Sequence, residues 1–134
     1  MSWEQWENPE TRATWNEALD AIERATAEFS RSRQTETSLT RCHQDSPDVT
    51  MKWTDGSALR NLQFVVASAS WPLPVRFLGH VWRDSGAERE FRAIDFGTVE
   101  YESAEALSSR FPADLGAAFD QSAGLKLTQA AAGD

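Results

Sequence analysis

Few residues of this chain have the types and spacing that could do chemistry. The histidines are His43 and His80, and the single thiol is Cys42. Cys42 and His43 are adjacent, so on a strand they point to opposite faces and do not share one ion. No C-x-x-C, H-x-x-x-H or H-E-x-x-H spacing occurs, so no metal site is expected. There is no G-x-S-x-G nucleophile turn, and the seven glycines are too dispersed to cradle a phosphate ahead of a helix. A Cys42–His80 dyad would need a tertiary arrangement that no spacing dictates, and small buried thiols are generally inert. No cofactor is implied.

One constellation does carry a mechanism. Val75–Arg83 and Glu88–Phe96 read as the arms of a hairpin around Asp84-Ser85-Gly86-Ala87. A turn at Ser85-Gly86, or at 84–87, sets Arg76 opposite Asp95, Leu78 opposite Ala93, His80 opposite Phe91 and Trp82 opposite Arg89. Were the sheet to curve over this face, His80 and Asp95 would form an acid–base pair, with Trp82 and Phe91 as walls. The plainer reading is an exposed Arg–Asp pair, a Trp82–Arg89 cation–π contact and a packed histidine. The other face of the hairpin, with Val75, Phe77, Val81, Ile94 and Phe96 around Gly79, reads as core.

These strands need a scaffold. Residues 8–30 supply the strongest periodic signal in the chain. Asn8 suits an N-cap and Pro9 the first helical position. Trp15, Leu19, Ile22 and Phe29 then form one apolar stripe, opposite Glu17, Asp20, Glu23, Arg24, Glu28 and Arg31. Ser38–Cys42 reads as a weak strand, Gln44-Asp45-Ser46-Pro47 as a turn, and Val49, Met51 and Trp53 as an alternating strand. Asp55-Gly56 as a two-residue turn sets Trp53 opposite Ala58 and Val49 opposite Leu62. It leaves Arg60 opposite Met51, an apolar position, and so predicts a bulge there or a place at the sheet margin. Ser68–Pro74 reads as a loop, because its prolines lack the donors of a central strand. Gly97 allows a bulge before the strand resumes at Thr98–Tyr101. Ser103 can cap a short helix, Pro112 restarts one, and Gly124 stops it.

The fold expected is therefore α+β: a long N-terminal helix packed on a single antiparallel sheet of about five strands in two clear hairpins, with a short C-terminal helix or helices. The 134 residues suit one domain, with a Trp-bearing arm at 1–7 and a frayed tail at 125–134.

The totals narrow the function classes. A net charge of −8 disfavours nucleic acid and anionic membrane, and suits a basic protein partner or solubility alone. One thiol, and an N-terminus carrying acids where a secretory leader carries bases, suggest the cytoplasm. The longest apolar run, Phe64-Val65-Val66-Ala67, is far short of a membrane span. More aromatic surface is present than the expected core needs: Trp3, Trp6, Trp71, Leu73 and Trp82. These residues could cover the second sheet face, within the monomer or in a homodimer, or anchor another protein. The leading expectation is a non-catalytic binding module of chaperone, adaptor, antitoxin or immunity type. Its surface would comprise Trp71, Leu73, Arg76, His80, Trp82, Arg89, Phe91 and Asp95. The alternative is a small-molecule site or acid–base enzyme around Arg76, His80 and Asp95.

Overall fold

The computed structural model describes residues 8–31, 33, 35–40, 47–56, 58–85 and 88–124. The expectations for Trp3, Trp6, Cys42, His43, the turn at 44–46 and the tail from 125 lie outside these residues. The order of elements is helix α1 (Pro9–Arg31), strands β1 (Thr35–Thr40), β2 (Asp48–Asp55), β3 (Ala58–Val66), β4 (Leu73–Ser85) and β5 (Glu88–Tyr101), then helix α2 (Ala104–Ala123). The five strands form one antiparallel meander in sequence order. This is the α+β architecture that the hydrophobic periodicity implies. Among the described residues, no helix is long and apolar enough to cross a membrane.

Local chemistry explains the ends of both helices. The Asn8 side chain accepts hydrogen bonds from the backbone N–H groups of Glu10 (2.9 Å) and Thr11 (3.3 Å). These are donors that a first helical turn otherwise leaves unpaired. Ser103 does the same for Ala106 at 3.1 Å. The C-terminal element is a single helix, longer than expected at 20 residues and continuous through Pro112. Pro112 removes one backbone donor, but it is exposed and so is Ser108, the acceptor one turn back. Water can take the orphaned carbonyl, and the helix continues. Leu107, Phe111, Leu115 and Ala118 then align along one buried stripe.

Both helices pack on the same face of the sheet. Trp15, Ala18, Leu19 and Ile22 of α1 and Leu107, Phe111 and Leu115 of α2 share one core with Val49, Met51, Leu62, Phe64, Val66, Val75, Phe77 and Tyr101. Phe111 meets Phe64 edge-on at 5.0 Å between centroids, a favoured aromatic geometry. Phe29 of α1 meets Phe119 of α2 at 5.1 Å, closing the layer between the helices. The Trp15 indole N–H donates to the Ser68 carbonyl at 2.9 Å and ties α1 to the β3–β4 connection.

Strand pairing corrects several expectations. Asp55 pairs with Ala58, so Trp53 faces Arg60 and Val49 faces Phe64, not Ala58 and Leu62. In the second hairpin Ser85 pairs with Glu88, so Trp82 faces Phe91, His80 faces Ala93, Leu78 faces Asp95, and Arg89 pairs with Asp84. Each hairpin is displaced by two residues, and by three for Leu73–Phe77 of β4 beyond the bulge, where the unpaired Phe96 adds one. Since side chains alternate with period two, every assignment to a face survives the displacement. β1 begins earlier than expected, at Thr35. Pro74 lies inside β4, opposite Glu100. It is tolerated there because pairing with β3 starts only at the next residue, Val75, opposite Val66. Gly97 does mark a bulge: the β4–β5 register shifts between Phe77 and Leu78, and Gly97 adopts φ 98°.

Arg60 is neither bulged out nor marginal. It is 6% exposed. Its Nη1 donates to the Ser122 carbonyl at 2.9 Å, and its Nε to Asp55 Oδ2 at 3.2 Å. It therefore sits on the helix-covered face and binds the last turn of α2, where unpaired carbonyls need donors.

Candidate functional site

With both helices on one side, no described residue covers the other face of the sheet. Alternation puts Lys52 and Thr54 of β2, Leu59 and Asn61 of β3, Leu78, His80 and Trp82 of β4, and Phe91, Ala93 and Asp95 of β5 on that face. Leu59 pairs with Trp82, and Trp82 with Phe91. These three side chains form one row across three strands. Leu59 is 42% and Phe91 58% exposed, and they are the exposed large hydrophobic residues among those described. A shallow groove of about 250 Å³ adjoins the row and runs past Trp82 and Leu59 toward Lys52 and Glu36.

The next row carries His80. Its Nδ1 lies 2.7 Å from the Asn61 side-chain oxygen, and its ring centroid lies 6.0 Å from that of Phe91. An amide oxygen only accepts, so Nδ1 carries the proton and donates. Burial lowers the imidazole pKa below its ordinary value, so the ring is neutral at pH 7.

Arg76 and Asp95 do form the ion pair, although the two residues are not directly opposite. Arg76 Nη2 and Nε reach the same Asp95 oxygen, Oδ2, at 2.6 and 3.1 Å. Arg76 stands opposite Thr98, beyond the bulge, and reaches back diagonally. The other oxygen of Asp95 accepts the Gly97 N–H at 2.8 Å. The Arg76 hydrogen bond, with that backbone bond, holds the Asp95 carboxyl below its usual range. Asp95 is thus a fixed anion with both oxygens engaged. That suits a structural clamp on the bulge better than a proton donor.

The expected site residues separate accordingly. Arg76, His80, Trp82, Phe91 and Asp95 share the open face. Leu73, expected on a docking surface, is fully buried beneath the helices. Trp71 is half-buried against the same core. The pairing of Arg89 with Asp84 removes it from the position opposite Trp82, and its side chain lies outside those described. No hydrogen bond or ion pair among the described residues links His80 to Asp95. Leu59 was not anticipated, although its signal was present. It has the opposite parity to Leu62, Phe64 and Val66, so it had to face away from them. Among the described residues, no cluster of three or more His, Cys, Asp or Glu side chains could hold a metal.

Compared with known proteins, the chain matches no family model, no curated protein and no solved structure. The geometry of the open face therefore carries the functional argument by itself.

Proposed function

We propose that this chain is a non-catalytic binding module that docks a protein partner, a basic one, on the open face of its sheet. The observation that carries this reading is the row Leu59–Trp82–Phe91, with two large apolar side chains left in water on either side of a tryptophan. Exposed aromatic residues at the centre of a polar surface are the usual anchors of protein interfaces. The polar groups nearby hold one another: His80 bonds Asn61, and Asp95 bonds Arg76 and Gly97. That arrangement favours a preformed recognition surface over acid–base chemistry. The net charge of −8 favours a basic partner through long-range attraction.

The test is affinity capture from the native cell extract with three baits: the wild-type chain, a Leu59→Ser/Phe91→Ser variant, and a Glu17→Ala/Glu28→Ala variant on the outer side of α1. The wild type and the helix variant should retain the same basic protein, released by salt. The face variant should lose it while keeping its circular dichroism spectrum. Equal capture by all three baits would sink the reading. A retained small molecule with no protein would transfer the assignment to the groove beside Trp82.

A further inference from the structure

β5 is an edge strand: β4 pairs with it on one side, and no described strand lies on the other. Such an edge presents backbone N–H and C=O groups ready to pair with another strand. Its second half is bent by the bulge at Gly97, and its C-terminal end is tied to α2 through the Tyr101–Asp114 hydrogen bond. The first half, up to Asp95, has regular pairing. We propose that this segment pairs with its own copy, antiparallel about a two-fold axis at Phe91, so that two sheets join into one in a homodimer.

The side chains select both the occupant and the register. Glu90 and Arg92 flank Phe91 and point to the opposite face from it. With the axis at Phe91, Glu90 of each copy stands opposite Arg92 of the other, giving two ion pairs. Within one chain Arg83 Nη2 already bonds Glu90 Oε2 at 2.6 Å. The contact therefore extends an alternating row of Arg83, Glu90 and the second copy's Arg92. Moving the axis to Glu90 or to Arg92 sets identical charges opposite each other, which is destabilising. Moving it to Ala93 sets Phe91 against Asp95 and Glu90 against the bulged Phe96. Only the axis at Phe91 matches charge with charge and places the most exposed aromatic ring among the described residues against its own copy. The row Leu59–Trp82–Phe91 then runs on through Phe91, Trp82 and Leu59 of the second copy. An isologous contact of this kind closes as a dimer and covers the edge of the first half of β5.

The inference shares Phe91 with the docking reading, but the two are tested separately. Its test reads mass rather than capture, and its variants lie on the opposite face from Leu59 and Phe91. Sedimentation equilibrium of the wild-type chain, from about 10 to about 300 µM, should show the mass rising from 15.0 kDa toward twice that value. Glu90→Arg and Arg92→Glu each put like charges in contact twice, and each should stay monomeric across the range. Mixed in equal amounts, they restore both ion pairs and should form a heterodimer. Arg92→Glu leaves the Arg83–Glu90 pair intact, so it serves alone should Glu90→Arg fail to fold. A wild type that stays monomeric, a single variant that dimerises like wild type, or a mixture that stays monomeric would each overturn the proposal.

Discussion

The phenol of Tyr101, the last residue of β5, donates a hydrogen bond to Asp114 Oδ2 of α2 at 2.7 Å. Tyr101 is fully buried, and the Arg110 guanidinium lies 5.3 Å from its ring centroid. The contact fastens the last strand to the last helix. Replacing Tyr101 by Phe keeps the ring and deletes only the donor, and should cost about 1–2 kcal/mol in urea denaturation. A second signature follows from titration. Burial, then the Asp114 carboxylate, raises the phenol pKa above its ordinary value. The unfolded chain releases this proton first, so the stabilisation is complete below about pH 10 and is lost as pH rises beyond it. Tyr101→Phe should remove that alkaline loss.

Arg60 makes two bonds of unequal weight. Its partner Asp55 has a side chain 60% exposed, whereas the Ser122 carbonyl bond is buried. Asp55→Ala should therefore cost less than about 1 kcal/mol. Arg60→Ala removes a buried stem and the guanidinium donor to the Ser122 carbonyl, and should cost about 2–4 kcal/mol. Chemical denaturation of both variants tests the difference. Equal losses would show that the Asp55 pair, not the helix end, gives Arg60 its weight.

Gly97 sits at φ 98° in the β5 bulge, where a side chain is strained whatever the space around it. Gly97→Ala should destabilise by about 1–3 kcal/mol. At Gly79 the constraint is crowding instead of backbone: an added Cβ would lie 2.6 Å from the Phe96 ring. Gly79→Ala should cost about 1–3 kcal/mol, and Phe96→Leu should relieve part of the loss. A double-mutant cycle with these two substitutions measures the contact.

His80 should give the fold a mild acid sensitivity. Burial lowers its folded pKa, so as pH falls below about 6.5 the unfolded chain takes up the proton first. Stability then declines with falling pH until the folded ring also titrates. His80→Gln should flatten that limb of the stability profile. Asp95 acts at lower pH: its depressed pKa means that its contribution is present above about pH 4 and is lost as the carboxylate protonates.

The exposed row should be dispensable for folding. Phe91 lies mostly and Leu59 partly in water, so at concentrations where the chain is monomeric Phe91→Ser should cost no more than about 0.5 kcal/mol and Leu59→Ser no more than about 1 kcal/mol. Thermal denaturation checks this. A large loss would mean that the row supports the sheet itself.

Much of this architecture is written locally. Helix α1, its Asn8 cap, the alternation along β2 to β5 and the bulge at Gly97 all follow from residue spacing and backbone freedom. So does the division of each strand into two faces. Alternation along each strand survives a displaced register, which is why Arg76, His80, Trp82, Phe91 and Asp95 fall on one face although the partners differ by two residues before the bulge and by three beyond it. The registers themselves were not legible. Asp55-Gly56 reads as the turn, yet Asp55 is the closing pair. In the observed register Trp53 packs against Phe119 and Arg60 bonds the Ser122 carbonyl, both of α2. Pro74 in a strand and Pro112 in a helix also depend on neighbours: the end of β3 in one case, open solvent in the other.

The sequence by itself thus determined the elements and the side of each strand on which every residue lies, because periodicity and capping act over a few residues. Only the tertiary structure decided that both helices cover the same side, that Arg60 and Leu73 are buried, and that Leu59 and Phe91 remain exposed on the other side. Those outcomes depend on where the apolar stripes of α1 and α2 find matching surface. Burial is non-directional and acts between residues far apart in the chain.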